Sequence, residues 1–210
     1  MKRTMNIGGI DFDLKLTFLI VLSTVVPMLD YYGYHLTRHK AYDRLIFYFV
    51  LPTLIILLLF RENPAQYGLR LGDWRTGLKW VLAGCAGMAL ILWFLARTPA
   101  MASFYQERAP EGVGNLVFLT GVDLFGWEFM WRGFILFAFA RYFGPGPAIF
   151  LQAVPFAFMH LGKPEVETLS TIFGGAAFGF VAWQSGSFLY PFLIHWFIAT
   201  FTMLIATGRI

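Results

Sequence analysis

The stretch LVFLTGVDLFGWEFMWRGFILFAFARYF, residues 116–143, decides the fold. It holds an apolar run with Asp123, Glu128 and Arg132 set inside it. A helix needs roughly 20 apolar residues to cross a bilayer core about 30 Å thick. This run is longer than one straight span requires, so it is expected to form two pieces or to protrude. Six further runs surround it: Leu16–Tyr32, Leu45–Phe60, Trp80–Ala96, Ala148–His160, Leu169–Trp183 and Phe188–Thr207. The expected fold is all-α, a polytopic transmembrane bundle of about seven to eight membrane helices. Residues 1–210 are expected to form a single membrane domain.

Composition agrees with this reading. The 210 residues are 58% hydrophobic and 13% charged, with a mean hydropathy of +0.64. A soluble domain carries about 25% charged residues, so a water-soluble globule is excluded. Tyr31, Tyr32, Trp74, Trp80, Tyr142 and Tyr190 flank apolar runs, where interfacial aromatics belong. The formal charge of +4 is spread between runs. It points to anionic lipid headgroups and not to nucleic acid. Cys85 is the single cysteine and excludes an internal disulfide. Asp11 and Asp13 precede the first run with no small-residue cleavage site after it, unlike a cleavable signal. Cationic residues divide eight against seven between the two sides once Arg132 is set apart, so orientation is not decided.

Pro27, Pro52 and Pro155 lie inside runs, where lipid-embedded helices kink and continue. The runs Ala148–His160 and Leu169–Trp183 are short, the second glycine-rich, and are expected to tilt, break or re-enter. Gly174, Gly175 and Gly179 favour close helix approach. Arg61–Arg75 and Arg97–Gly114 are expected to be loops.

Ionisable residues inside membrane spans are costly and mark function. They concentrate in residues 115–207 as Asp123, Glu128, Arg132, His160 and His195. Glu128 and Arg132 are spaced i, i+4 and share a helix face, the pattern of a structural ion pair as well as of a site. His160 suits a helix end at the interface, and His195 suits a bond to a neighbouring carbonyl. Together, one Glu and two His on different helices form the inventory for activating water. The carboxylate takes the proton, and the imidazoles hold a metal or stabilise an oxyanion. No H-E-x-x-H, G-x-S-x-G or P-loop pattern is present.

Three motifs in order then resemble one family. Trp127-Glu-Phe-Met-Trp-Arg-Gly133, Phe156-Ala-Phe-Met-His160 with Glu167 beyond it, and His195 resemble those of the CAAX-protease and bacteriocin-processing (CPBP) intramembrane endopeptidases. The loop Tyr67-Gly-Leu-Arg-Leu-Gly-Asp-Trp74 resembles the linker of bacterial members. The resemblance implies a membrane endopeptidase of a bacterial inner membrane, acting on a peptide or protein and in contact with lipids. It carries catalytic roles to Glu128, Arg132, His160 and His195, with His160 and His195 as the metal pair. Zn is the metal such a set takes; a metal-free Glu-activated water is equally compatible. Trp127 stands where the family has its first Glu, and Ala199 where it has Asn or Asp. The base then falls to Glu128, or a carboxylate comes from Asp123 or Glu167, while Thr202 partly replaces the lost polar partner. A catalytically inactive membrane binding or immunity-type protein is the alternative, and a small proton-relaying transporter a third reading.

Overall fold

A computed structural model describes residues 4–210. It opens on an antiparallel hairpin, β1 (Thr4–Ile7) and β2 (Ile10–Asp13). Eight helices follow among the described residues. They are α1 (Leu14–Tyr31), α2 (Lys40–Phe60), α3 (Trp74–Leu95), α4 (Pro99–Gln106), α5 (113–143), α6 (Pro145–Phe158), α7 (Glu165–Ser185) and α8 (Leu189–Ala206). Helices α1, α2, α3, α7 and α8 are long and apolar enough to cross a membrane, and α6 is a shorter apolar helix. The protein is an all-α polytopic bundle.

All seven expected runs are helical. Several, α2, α3 and α7 among them, begin a turn or more before the apolar run, because a polar opening turn extends the helix, and side chains cap the starts of α1 and α3. Asp13 accepts from the Leu16 amide at 3.0 Å, and Asp73 accepts from the Arg75 and Thr76 amides. Such caps satisfy amides that a helix start leaves free. The eighth helix, α4, lies in the stretch expected to be a loop. Pro99 stands in its first turn, where a missing N–H costs nothing. Helix α7 runs 21 residues without a break, so the expected break is absent there. The hairpin was not expected. Its strands of four residues are too short for alternation to stand out, and the signal is the Gly8-Gly9 pair. Both glycines have positive φ, 59° and 84°, as a two-residue turn between twisted strands requires.

Helix α5 is the central post. Every residue from Gly126 to Phe139 is buried, and a helix apolar all round must be enclosed by others. It is continuous, with a π-helical stretch at Phe129–Ile135 between two α-helical parts. Gly126 lets α2 cross at backbone contact: a Cβ there would meet the Arg44 carbonyl oxygen at 2.8 Å. Pro52 removes a ladder bond in α2. The helix absorbs this with π-helical stretches on both sides of Leu51–Leu54, and the Thr53 hydroxyl donates to the Phe49 carbonyl at 2.6 Å. The outer surface is apolar, with Leu82 63% and Phe94 69% exposed on α3. In water this would be a large apolar patch; in lipid it is the matching face.

Polar staples close one end. Glu62 accepts from Lys15 at 2.5 Å, from the Tyr67 hydroxyl at 2.6 Å and from Arg141 at 2.6 Å. This joins α1, the α2–α3 loop and the end of α5. Burial pushes the Glu62 carboxyl up, but those three hydrogen bonds outweigh it and hold it down at about 2, against an ordinary 4.5. A depressed carboxylate contributes stability above its unfolded value and loses it as pH falls through the folded one. Thermal unfolding in detergent should therefore show a loss of stability between about pH 4.5 and pH 2. Glu62→Gln should flatten that slope and lower the melting temperature at pH 7; an unchanged slope would show that the staple carries none of it.

Candidate active site

The fold brings Glu128, Arg132 and His195 into direct contact. Glu128 closes the first α-helical part of α5, and Arg132 lies one turn on, inside the π-helical stretch. Arg132 Nη1 donates to Glu128 Oε1 at 3.0 Å, and both side chains are fully buried. From α8, His195 Nδ1 meets the same Oε1 at 2.6 Å. Arg132 is further enclosed by aromatic faces, with its guanidinium 3.8 Å from the Phe156 ring centroid and 5.2 Å from that of Phe178. A cation over a ring face is attracted by the ring quadrupole. Gly175 makes room for this, since a Cβ there would crowd Phe156 at 2.9 Å and Arg132 at 3.4 Å. Gly179 likewise admits Gln152 of α6. Gly174 has open space beside it and lines a cavity instead of a helix contact.

His160 sits in the turn after α6, and its ring is 4.6 Å from Phe156 and 6.0 Å from Trp127. Its Nδ1 lies 2.8 Å from the Phe156 carbonyl oxygen. A carbonyl only accepts, so Nδ1 carries the proton and Nε2 keeps its lone pair. The same reasoning applies to His195, whose Nδ1–H donates to the carboxylate. The two imidazoles are thus set in one tautomer by different partners.

Two cavities meet at these rings. The first, about 520 Å³, is mostly apolar and opens between α3, α7 and α8. The second, about 340 Å³, has a polar wall that includes Lys40, Arg44 and Asp123. His160, Lys163, His195, Tyr105 and Ala199 line both. Glu128 lines neither. The glutamate read as the base therefore stands behind His195, and reaches a cavity only through that imidazole.

The other carboxylates have separate employment. Asp123 accepts from Arg44 Nη1 at 3.1 and 3.0 Å, and Arg44 also pairs with Asp30 at 3.0 Å. The Tyr48 hydroxyl adds a bond to Asp30 at 3.2 Å. Glu167 accepts from Lys163 at 2.6 Å and from the Tyr105 hydroxyl at 2.7 Å. Trp127 has the Arg44 guanidinium 4.5 Å from its ring centroid. Sequence reasoning confined the chemistry to residues 115–207 and missed Asp30, Arg44 and Tyr105. Asp30 lies inside an apolar run, which was the available signal. Tyr105 lay in a presumed loop and gave none. Thr202 is buried and lines the apolar cavity.

The donor set bears on a metal. Catalytic zinc sites use three protein ligands. His160 and His195 offer two Nε2 atoms, while Glu128 has Oε1 held by His195 and Arg132, has its unpartnered Oε2 buried, and lines neither cavity. Among the described residues no group of three His, Cys, Asp or Glu is arranged to hold a metal ion. The residues present do not make a complete zinc centre.

The site is a buried carboxylate–imidazole pair where two cavities join, inside a polytopic helical bundle. Residues 110–201 match the family model described as Rce1-like, type II CAAX prenyl endopeptidase Rce1-like. That segment, somewhat under half of the chain, contains all four motif residues and is similar to the CPBP family and its CAAX-type intramembrane protease fold. No curated protein and no solved structure matches the chain.

Removing one partner of a buried ion pair leaves the other uncompensated, at about 3–5 kcal/mol. Arg132→Met should destabilise the protein by about that amount in detergent unfolding. The double variant Glu128→Gln/Arg132→Met should recover much of the loss. Additive losses in the double variant would mean that the two residues act independently.

Proposed function

We propose that the protein is an intramembrane endopeptidase in which His195, backed by Glu128, activates water for attack on a peptide carbonyl. The observation that carries this reading is the 2.6 Å contact from His195 Nδ1 to Glu128 Oε1, with the same imidazole on the wall of both cavities. His195 Nε2 takes a proton from water, and the hydroxide adds to the carbonyl carbon. The Glu128 carboxylate stabilises the imidazolium that forms. That imidazolium then returns the proton to the departing amine, so atoms and charges balance. His160 Nε2, also a lone-pair site, accepts a hydrogen bond from the second O–H, whose hydrogen stays on the attacking oxygen, and orients the attack. Lys163, on the shared wall, is the cation available to the developing oxyanion.

Arg132 holds Glu128 in place at 3.0 Å, and is a positioning residue in this scheme. The apolar cavity takes the apolar part of the substrate, and the polar one admits water and the peptide's polar end. No step requires a metal. A zinc-dependent variant would place the ion on the two Nε2 atoms with a third ligand from elsewhere. Localisation to a bacterial inner membrane belongs to the same proposal.

A second reading is a family member without catalysis. Trp127, stacked against Arg44, favours it, because an indole stands where a carboxylate is expected.

The test is cleavage of a quenched-fluorescent peptide library carrying apolar segments, by purified protein in proteoliposomes. Wild type should cleave. His195→Ala should lose roughly 10²–10⁴-fold in rate, the usual contribution of a general base. Glu128→Gln/Arg132→Met, which removes both buried charges together, should lose most of the activity while remaining folded, and Lys163→Met should lower kcat more than it raises KM. Chelator treatment should leave the rate unchanged; zinc-restorable loss would establish the metal variant. Equal rates in wild type and His195→Ala would overturn the mechanism, and no cleavage across the library would favour the non-catalytic reading.

A further inference from the structure

The hairpin before α1 divides its side chains cleanly by face. Residues directly opposite each other in an antiparallel pair share a face. The pairs are Thr4 with Asp13, Met5 with Phe12, Asn6 with Asp11, and Ile7 with Ile10. One face therefore holds Met5, Ile7, Ile10 and Phe12, and the other Thr4, Asn6, Asp11 and Asp13. The polar face is knit by its own bond, Asn6 Nδ2 to Asp11 Oδ1 at 2.7 Å. The apolar face is open, with Met5 45%, Ile7 56% and Ile10 62% exposed. A lone two-stranded hairpin is at best marginal in water, so this face needs a cover that the other described residues do not supply.

Its position says what the cover is. Strand β2 ends on Asp13, which caps α1, so the hairpin is joined to a membrane helix without a linker. The exposed apolar surface continues from Ile10 to Leu14 and on through Ile20, Val21 and Met28 of α1. The Tyr142 hydroxyl reaches Asp13 at 3.4 Å, holding the junction against the end of α5. An apolar face running on from a lipid-facing helix surface, at that helix's end, lies at the level of the headgroups. Each headgroup region is about 5–8 Å deep, comparable with the layer of side chains on one sheet face, about 5 Å.

We propose that this hairpin is an interfacial anchor, with Met5, Ile7, Ile10 and Phe12 seated in the lipid headgroup layer and the acidic face turned to water. The partner is the lipid surface. Its role is to fix the depth of α1, and it is independent of any catalytic reading.

The test uses full-length protein in nanodiscs on a Cys85→Ser background, with Ile7→Cys, Ile10→Cys, Asn6→Cys and Asp11→Cys made singly and labelled with an environment-sensitive fluorophore. Lipids spin-labelled near the headgroup should quench the labels at 7 and 10 at least about twofold more strongly than those at 6 and 11. The label at 7 and 10 should also be blue-shifted. In unlabelled wild type, hydrogen exchange of the hairpin amides should be slowed in nanodiscs, a control independent of any substitution. Equal quenching on both faces, or exchange at the rate of unstructured chain, would overturn the proposal. Cross-links between copies through the labelled apolar face, without lipid quenching, would overturn it in favour of a second chain as the cover.

Discussion

The buried Glu128–Arg132 pair is the constraint around which the bundle is arranged. Two ions in an apolar core cost several kcal/mol each unless paired and enclosed. Enclosure here takes contributions from four helices. α5 supplies both charges, α6 and α7 supply the rings of Phe156 and Phe178, and α8 supplies His195. The glycines at 175 and 179 exist to let α6 and α7 close on this point. Because His195 shares the carboxylate oxygen with Arg132, the group that holds the core together also meets an imidazole on the cavity wall.

Much of this was legible in the residues. The seven apolar runs announced the helices, and the i, i+4 spacing announced the ion pair. The three ordered motifs pointed to His195, which joins the pair, and to His160, which instead bonds the Phe156 carbonyl on the cavity wall. What could not be read was where each group faces. Glu128 and Trp127 are neighbours on α5, so they point about a quarter-turn apart. Only packing shows that Glu128 turns toward His195 while Trp127 lies under Arg44. The Asp30–Arg44–Asp123 cluster spans three helices, and no local pattern links residues so far apart in sequence. Helix α4 and the hairpin escaped for another reason: both are too short for periodicity to distinguish them from loop.

The departures from the family pattern have physical neighbours. The indole at 127 is accommodated by a guanidinium from outside the matched segment, itself neutralised by two carboxylates. The methyl group at 199 stands where the two cavities share a wall. A larger polar side chain there would separate them.

That shared wall places His160 and His195 at a boundary between a mostly apolar compartment and one with a polar wall. A reactant arriving through the apolar side is then counted by its mole fraction in the bilayer and not by its bulk molarity. Enlarging the lipid pool dilutes it as surely as adding buffer dilutes a soluble substrate.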